Sequence, residues 1–176
     1  MAEPGGVLAL DLSLTTGWCY GGLNDRDPVS GLWLLPRVQD LGAQFAALDN
    51  EVDDALTLFH PSVVLTEAPM YDKLQTSARL LIGLANIVLA AAWRHGVRAN
   101  EQAAPTIRRA VLGRGSFGDP DPTNPRRRLN GTANAKRAVI AWCHAQGWTQ
   151  ITDHNEADAR VTWRYAVDQI RARQRA

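Results

Sequence analysis

Three carboxylates stand out by their surroundings. Asp11 interrupts the apolar run Val7-Leu8-Ala9-Leu10-Asp11-Leu12-Ser13. Such a run reads as a central strand, where a carboxylate is costly unless a cation, a proton or hydrogen bonds compensate it. Glu67 follows Val63-Val64-Leu65-Thr66, at the carboxyl end of a second strand. Asp158 lies in the first turns of the last helix, within Asp153-His154-Asn155-Glu156-Ala157-Asp158-Ala159. Neighbouring parallel strands open onto one crevice at their carboxyl ends. A helix packed across that crevice adds its own acid. Carboxylates gathered in this way repel one another. Divalent cations resolve the repulsion, since Mg²⁺ takes oxygen ligands and keeps waters for a substrate phosphate to replace. Two such ions about 4 Å apart activate a water and stabilise the leaving oxygen in phosphodiester cleavage.

Each acid also has a plainer role open to it. Asp11 can bond to a turn at Thr15-Thr16-Gly17, Glu67 can be an ordinary strand-end acid, and most helix acids like Asp158 are solvated. Asp153, with Glu156 three residues on, resembles a capping box. Capping is preferred over metal binding for Glu156, and the two stand level for Asp153. The fourth ligand is open. His154 and Asn155 lie four and three residues before Asp158, on its face of a helix. One offers a ring nitrogen and the other an amide oxygen, both weaker partners for Mg²⁺ than a carboxylate.

The elements that must position these residues follow from periodicity. Residues 7–13 form the first strand, and 15–17 a tight turn. Residues 18–20 and 29–35 complete an antiparallel meander. Leu41, Phe45, Leu48, Val52, Leu56 and Phe59 make one helical stripe across 40–60, with Asp49, Glu51, Asp53 and Asp54 on the solvated face. Residues 63–66 follow as a parallel strand. The helix 74–95 is apolar almost all round from 80 to 93, so it is either core or an interface with a partner subunit. A fifth strand at 97–102, a short helix at 105–112 opened by Pro105, and helices at 132–146 and from 153 onward complete the order. The basic tail beyond Asp168 is expected to fray. The whole reads as one α/β domain over 1–176: a mixed five-stranded sheet, part antiparallel meander and part parallel strands, flanked by helices.

The chain has 176 residues and a formal charge of +1, so a nucleic-acid footprint must be local. Cys19 and Cys143 sit in apolar segments and read as small core residues. Neither a signal peptide nor a membrane span is expected, which makes a reducing, cytoplasmic setting the default. Segment 113–131 is a flexible loop rich in Gly, Pro and Arg, carrying Arg114, Arg126, Arg127 and Arg128. Lys136 and Arg137 follow it. Such a loop suits phosphate backbones, although Asp119 and Asp121 dilute its charge.

With these residues in view, the chain resembles the RuvC family of Holliday junction resolvases, in particular its shorter phage-type members. Residues 7–18 resemble the family's first strand and turn. Glu67-Ala68-Pro69-Met70, then Ser77-Ala78 and Leu84-Ala85, resemble its Glu motif and the following helix. Residues 105–113, with Arg108 and Arg109, together with Ala135-Lys136, resemble its DNA-contacting segment. Residues 155–159 resemble its terminal acidic motif. The resemblance implies a ribonuclease H-like fold and a homodimer in a bacterial or phage-infected cell. It implies nicking of branched DNA with two Mg²⁺ or Mn²⁺ ions per site and no small-molecule cofactor. It makes Asp11, Glu67 and Asp158 catalytic metal ligands, and it matches Lys136 to a motif lysine that holds a phosphate beside the ions. Two departures stand out. Asn155 occupies a position where Asp or His is frequent. Met70 stands where an aromatic is frequent, with Tyr71 next to it to stack on a junction base. Two other classes compete: a catalytically silent DNA-binding relative, and a single-lobe nucleotide binder of the actin and sugar-kinase type, which the segment 11–17 also resembles.

Overall fold

The computed structural model describes residues 5–69 and 75–175, without the side chains of 75–77 and 125–128. Strands β1 (Val7–Asp11), β2 (Thr15–Gly21) and β3 (Val29–Leu34) form an antiparallel meander. Helix α1 (Leu41–Phe59) leads to β4 (Val63–Glu67), which pairs parallel to β1. Helix α2 (Gln75–Arg94) leads to β5 (Arg98–Gln102), parallel to β4. The five-stranded sheet runs β3-β2-β1-β4-β5. Helices α3 (Ala104–Leu112), α4 (Gly131–Ala145) and α5 (His154–Gln174) follow. This is the mixed sheet with flanking helices that the sequence predicts.

Side-chain parity divides the sheet into two faces. Leu8, Leu10, Leu12 and Val64 pack against α1 and α2. Val7, Ala9, Cys19 and Leu65 pack against α5, α4 and Ile107 of α3. Successive strand residues point to opposite faces. Asp11 therefore continues the row of Val7 and Ala9, and Glu67 the row of Leu65. Both carboxylates fall on the α5 face because each is an odd step from the row that packs on α1 and α2.

Several boundaries differ from expectation. Thr15–Gly17 belong to β2, and the β1–β2 connection is residues 12–14. There Thr16 Oγ1 donates to the Ser13 carbonyl at 2.7 Å, and Ser13 Oγ donates to the Thr15 carbonyl at 2.8 Å. Segment 113–131 is not a loop throughout. Residues Asp119–Asp121 (β6) and Asn124–Leu129 (β7) pair as an antiparallel hairpin, which Gly, Pro and Arg composition does not signal. Beyond Asp168 the chain stays helical: α5 continues to Gln174, with Ile170 packed against the core and Arg171 Nη2 donating to the Leu23 carbonyl. Helix α2 is not buried all round. Leu84, Ala85, Val88, Ala91 and Ala92 face the core, while Ile82, Leu89 and Trp93 are exposed, Trp93 by 82%. Helices α2 and α4 end at Gly96 and Gly147, whose φ of 67° and 93° favour a residue without Cβ. Cys19 and Cys143 are buried and free, and burial pushes their thiols up, that of Cys143 to about 12. No helix among the described residues is long and apolar enough to cross a membrane.

Candidate metal and nucleic-acid site

The site grows from the carboxyl ends of β1 and β4. Asp11 lies one step beyond the Leu10–Thr66 pair, which sets it beside Glu67. Asp11 is also paired with Gly17 of β2, and that glycine admits the helix. A Cβ on Gly17 would lie 2.0 Å from the Asn155 carbonyl oxygen. The bare backbone of β2 thus lets the first turn of α5 rest directly on the sheet, next to Asp11.

Other contacts fix the azimuth of α5. Asp153 caps it, accepting from the backbone N–H of Asn155 at 2.7 Å and of Glu156 at 3.4 Å. The capping box is only half made, because the Glu156 carboxylate accepts from Ser30 Oγ on β3. Ser30 accepts in turn from Arg160 Nε at 2.7 Å. Arg160 is buried, pairs with Asp27 at 2.9 Å and stacks 4.6 Å from the Trp148 ring centre. Trp163 Nε1 donates to the Gly21 carbonyl at 3.1 Å. Sequence reasoning missed Arg160, since an arginine inside a helix signals solvent unless its partners on β3 are known.

One open cleft of about 910 Å³ is lined by Asp11, Glu67, Asp158, Asp153, His154 and Asn155. Arg108, Lys136, Arg37 and Phe117 also line it. Every candidate ligand therefore shares one cavity, although Asp153 is already engaged as a cap. Lys136 and Arg137 are exposed, and Arg137 bonds to Asn134 of its own helix. Arg109 and Arg114 are exposed, and the Arg114 guanidinium lies 4.5 Å from the Phe117 ring centre. The Arg126, Arg127 and Arg128 side chains and the whole of Tyr71 lie outside the described residues.

Arg108 is where the geometry departs from expectation. Expected among the DNA contacts, it lies among the carboxylates. Its Nη2 donates to Asp158 Oδ1 at 2.9 Å and its Nε to the same oxygen at 3.3 Å. Nη2 is also 3.8 Å from Glu67 Oε1. Burial opposes the charged form of Arg108, but Asp158, Glu67 and Asp11 outweigh it and raise its proton affinity. Asp158 also shifts upward, but there burial outweighs the neighbouring cations. Its burial raises the carboxyl above its ordinary range, although Arg108, His154 and Lys136 pull it down.

Carboxylate, amide and imidazole donors are a set that suits a hard divalent ion. As the side chains stand, no three His, Cys, Asp or Glu groups among the described residues are placed to hold one. The donor chemistry fits the ion, and Arg108 supplies the positive charge.

No family model and no curated protein matches the chain. Solved structures do. Thermus thermophilus RuvC matches at TM-score 0.69 and 16% identity, covering 95% of this chain and 96% of that one. The same organism's RuvC in complex with a Holliday junction substrate matches at TM-score 0.74 and 14% identity, with 96% of each chain covered. The fold is that of the RuvC resolvases. Yeast mitochondrial Holliday junction resolvase Ydc2 shares the RuvC fold at TM-score 0.62 and 11% identity, covering 97% of this chain and 82% of that one. At such identities the RuvC fold is common property, and the chemistry must be argued from the cleft.

Proposed function

We propose that the protein is a metal-dependent endonuclease that nicks branched DNA, with four-way junctions among its substrates. The observation that carries this is the convergence of Asp11, Glu67 and Asp158, from β1, β4 and α5, in one open cleft. The likeness of fold to a resolvase solved with a Holliday junction substrate supports it.

In this reading Asp11, Glu67 and Asp158 hold two Mg²⁺ or Mn²⁺ ions, with the fourth ligand drawn from His154, Asn155 and Asp153. The ions supply a nucleophilic water at neutral pH and neutralise charge on the leaving oxygen. Lys136, exposed at the cleft wall, holds the scissile phosphate as a point charge. Arg109, Arg114, Arg126, Arg127, Arg128 and Arg137 contact flanking phosphates, and Tyr71 stacks on a base at the branch point. Two symmetric nicks need two sites, hence a homodimer. The exposed stripe of Ile82, Leu89 and Trp93 on α2 is the surface offered to it.

The test is a panel of junctions, forks, flaps and linear duplexes incubated with Mg²⁺ or Mn²⁺. Metal-dependent nicks in branched substrates are expected, lost in Asp11→Asn while junction binding persists. Nicking retained in that variant removes Asp11 from the site. Binding without any cleavage favours the silent relative, the reading to which Asn155 lends support. Loss of activity in His154→Ala alone, or in Asn155→Ala alone, identifies the fourth ligand.

A further inference from the structure

We propose that Arg108 is a built-in counter-ion that competes with divalent cations for the carboxylates, so that loading the site displaces its guanidinium from Asp158. The inference rests on the metal-dependent reading above and adds a residue that opposes the metal.

The geometry makes guanidinium and ion alternatives. Two N–H groups of Arg108 converge on one oxygen, Asp158 Oδ1, at 2.9 and 3.3 Å. Those bonds take up lone pairs that a cation would otherwise use. Nη2 also stands 3.8 Å from Glu67 Oε1, so one guanidinium spans carboxylates contributed by β4 and α5. A dication bound by the same acids would face a fixed positive charge at short range, in a place where only 6% of the Asp158 side chain is exposed to screening solvent. Both cannot be held at full strength.

The displaced group has somewhere to go. Arg108 stands on α3 in the wall of the cleft, with Ala104 and Pro105 from the preceding turn and Gly115 after it. The cleft is open, so the guanidinium can rotate off Asp158 into it. Metal loading would then exchange an Arg–carboxylate pair for an arginine ready to take a phosphate in its fork.

The experiment titrates Mn²⁺ into the metal-free protein at pH 8, by calorimetry and by thermal melting, for wild type, Arg108→Gln and Arg108→Lys. Arg108→Gln is expected to bind Mn²⁺ roughly tenfold tighter, the effect of removing one charge-assisted competitor. Arg108→Lys falls between, because an ammonium lacks the fork. In chelator, Arg108→Gln melts below wild type, and saturating Mn²⁺ closes the gap. Equal or weaker Mn²⁺ binding by Arg108→Gln overturns the proposal and leaves the nuclease reading standing. Binding by neither wild type nor variant overturns both. If Arg108→Gln does not fold, Arg108→Lys decides: tighter binding than wild type supports the competition, and unchanged or weaker binding overturns it.

Discussion

The protein contains two clusters of the same chemistry in opposite settings. Between α1 and α2, Arg94 pairs with Asp49 at 2.7 Å and approaches Asp53 at 3.6 Å, while His95 Nε2 donates to Asp53 at 2.7 Å. In the cleft, Arg108 pairs with Asp158 at 2.9 Å and approaches Glu67 at 3.8 Å. The distances are nearly identical. The surroundings are not: the side chains of Arg94 and Asp53 are 44% and 47% exposed, those of Arg108 and Asp158 20% and 6%.

Solvent decides what the same pairs do. The bond from His95, with Arg94 behind it, holds the Asp53 carboxyl below its usual range. That pair contributes above the ordinary carboxylate range, and the contribution is lost as pH falls through the lowered value. Asp158 has the reverse sign, because burial raises it. Its charge burdens the metal-free fold above the raised value, and the burden lifts as pH falls toward the ordinary range. A pair that water already satisfies adds little. A pair withdrawn from water holds a charge that a stronger cation can still improve.

Four variants test that contrast, the largest expected effect first. Asp11→Asn should lower junction nicking by more than about a hundredfold, since it removes a charge at the point of metal and phosphate binding. Single-turnover cleavage measures it, and near-normal rates would separate the buried acids from the chemistry. Neutralising Arg126, Arg127 and Arg128 together should weaken junction binding and reduce its salt slope by about 0.9 per lost phosphate contact. A parallel slope would mean that these arginines do not contact phosphate. Asp158→Asn should melt at or above wild type in chelator at neutral pH, while losing cleavage. A lower melting temperature would show that the bond from Arg108 outweighs the burial. Arg94→Ala should leave both melting at neutral pH and nicking unchanged. Any loss of activity there would mean that the two clusters are coupled.

Much of this was readable locally. The strand around Asp11, the strand ending at Glu67 and the α1 stripe follow from alternation and helical spacing. That Asp11 and Glu67 share a face follows only once the β1–β4 register and the packing of each row are known. The terminal motif was readable up to its cap: Asp153 accepts from Asn155 and Glu156, one of the two roles the sequence left level for it. The returning half of the box failed because Glu156 turns to Ser30, a residue 126 positions away in the chain. The hairpin of β6 and β7 was missed because its pairing needs two short polar strands to meet, and neither has an apolar face to announce it.

The sequence by itself determined the five strands of the main sheet and the helices around it to within a few residues, and it set Glu67 at a strand end. Periodicity is a local property, and the backbone enforces it residue by residue. Only the tertiary structure decided what meets the acids of the cleft. Gly17 is a residue of β2 whose missing Cβ matters only once α5 lies across it. Arg108 reads as a surface cation on a short helix until α3 brings it to Asp158, 50 residues onward. The charge balance of the cleft depends on distances between segments remote in the chain, and local pattern does not encode such distances.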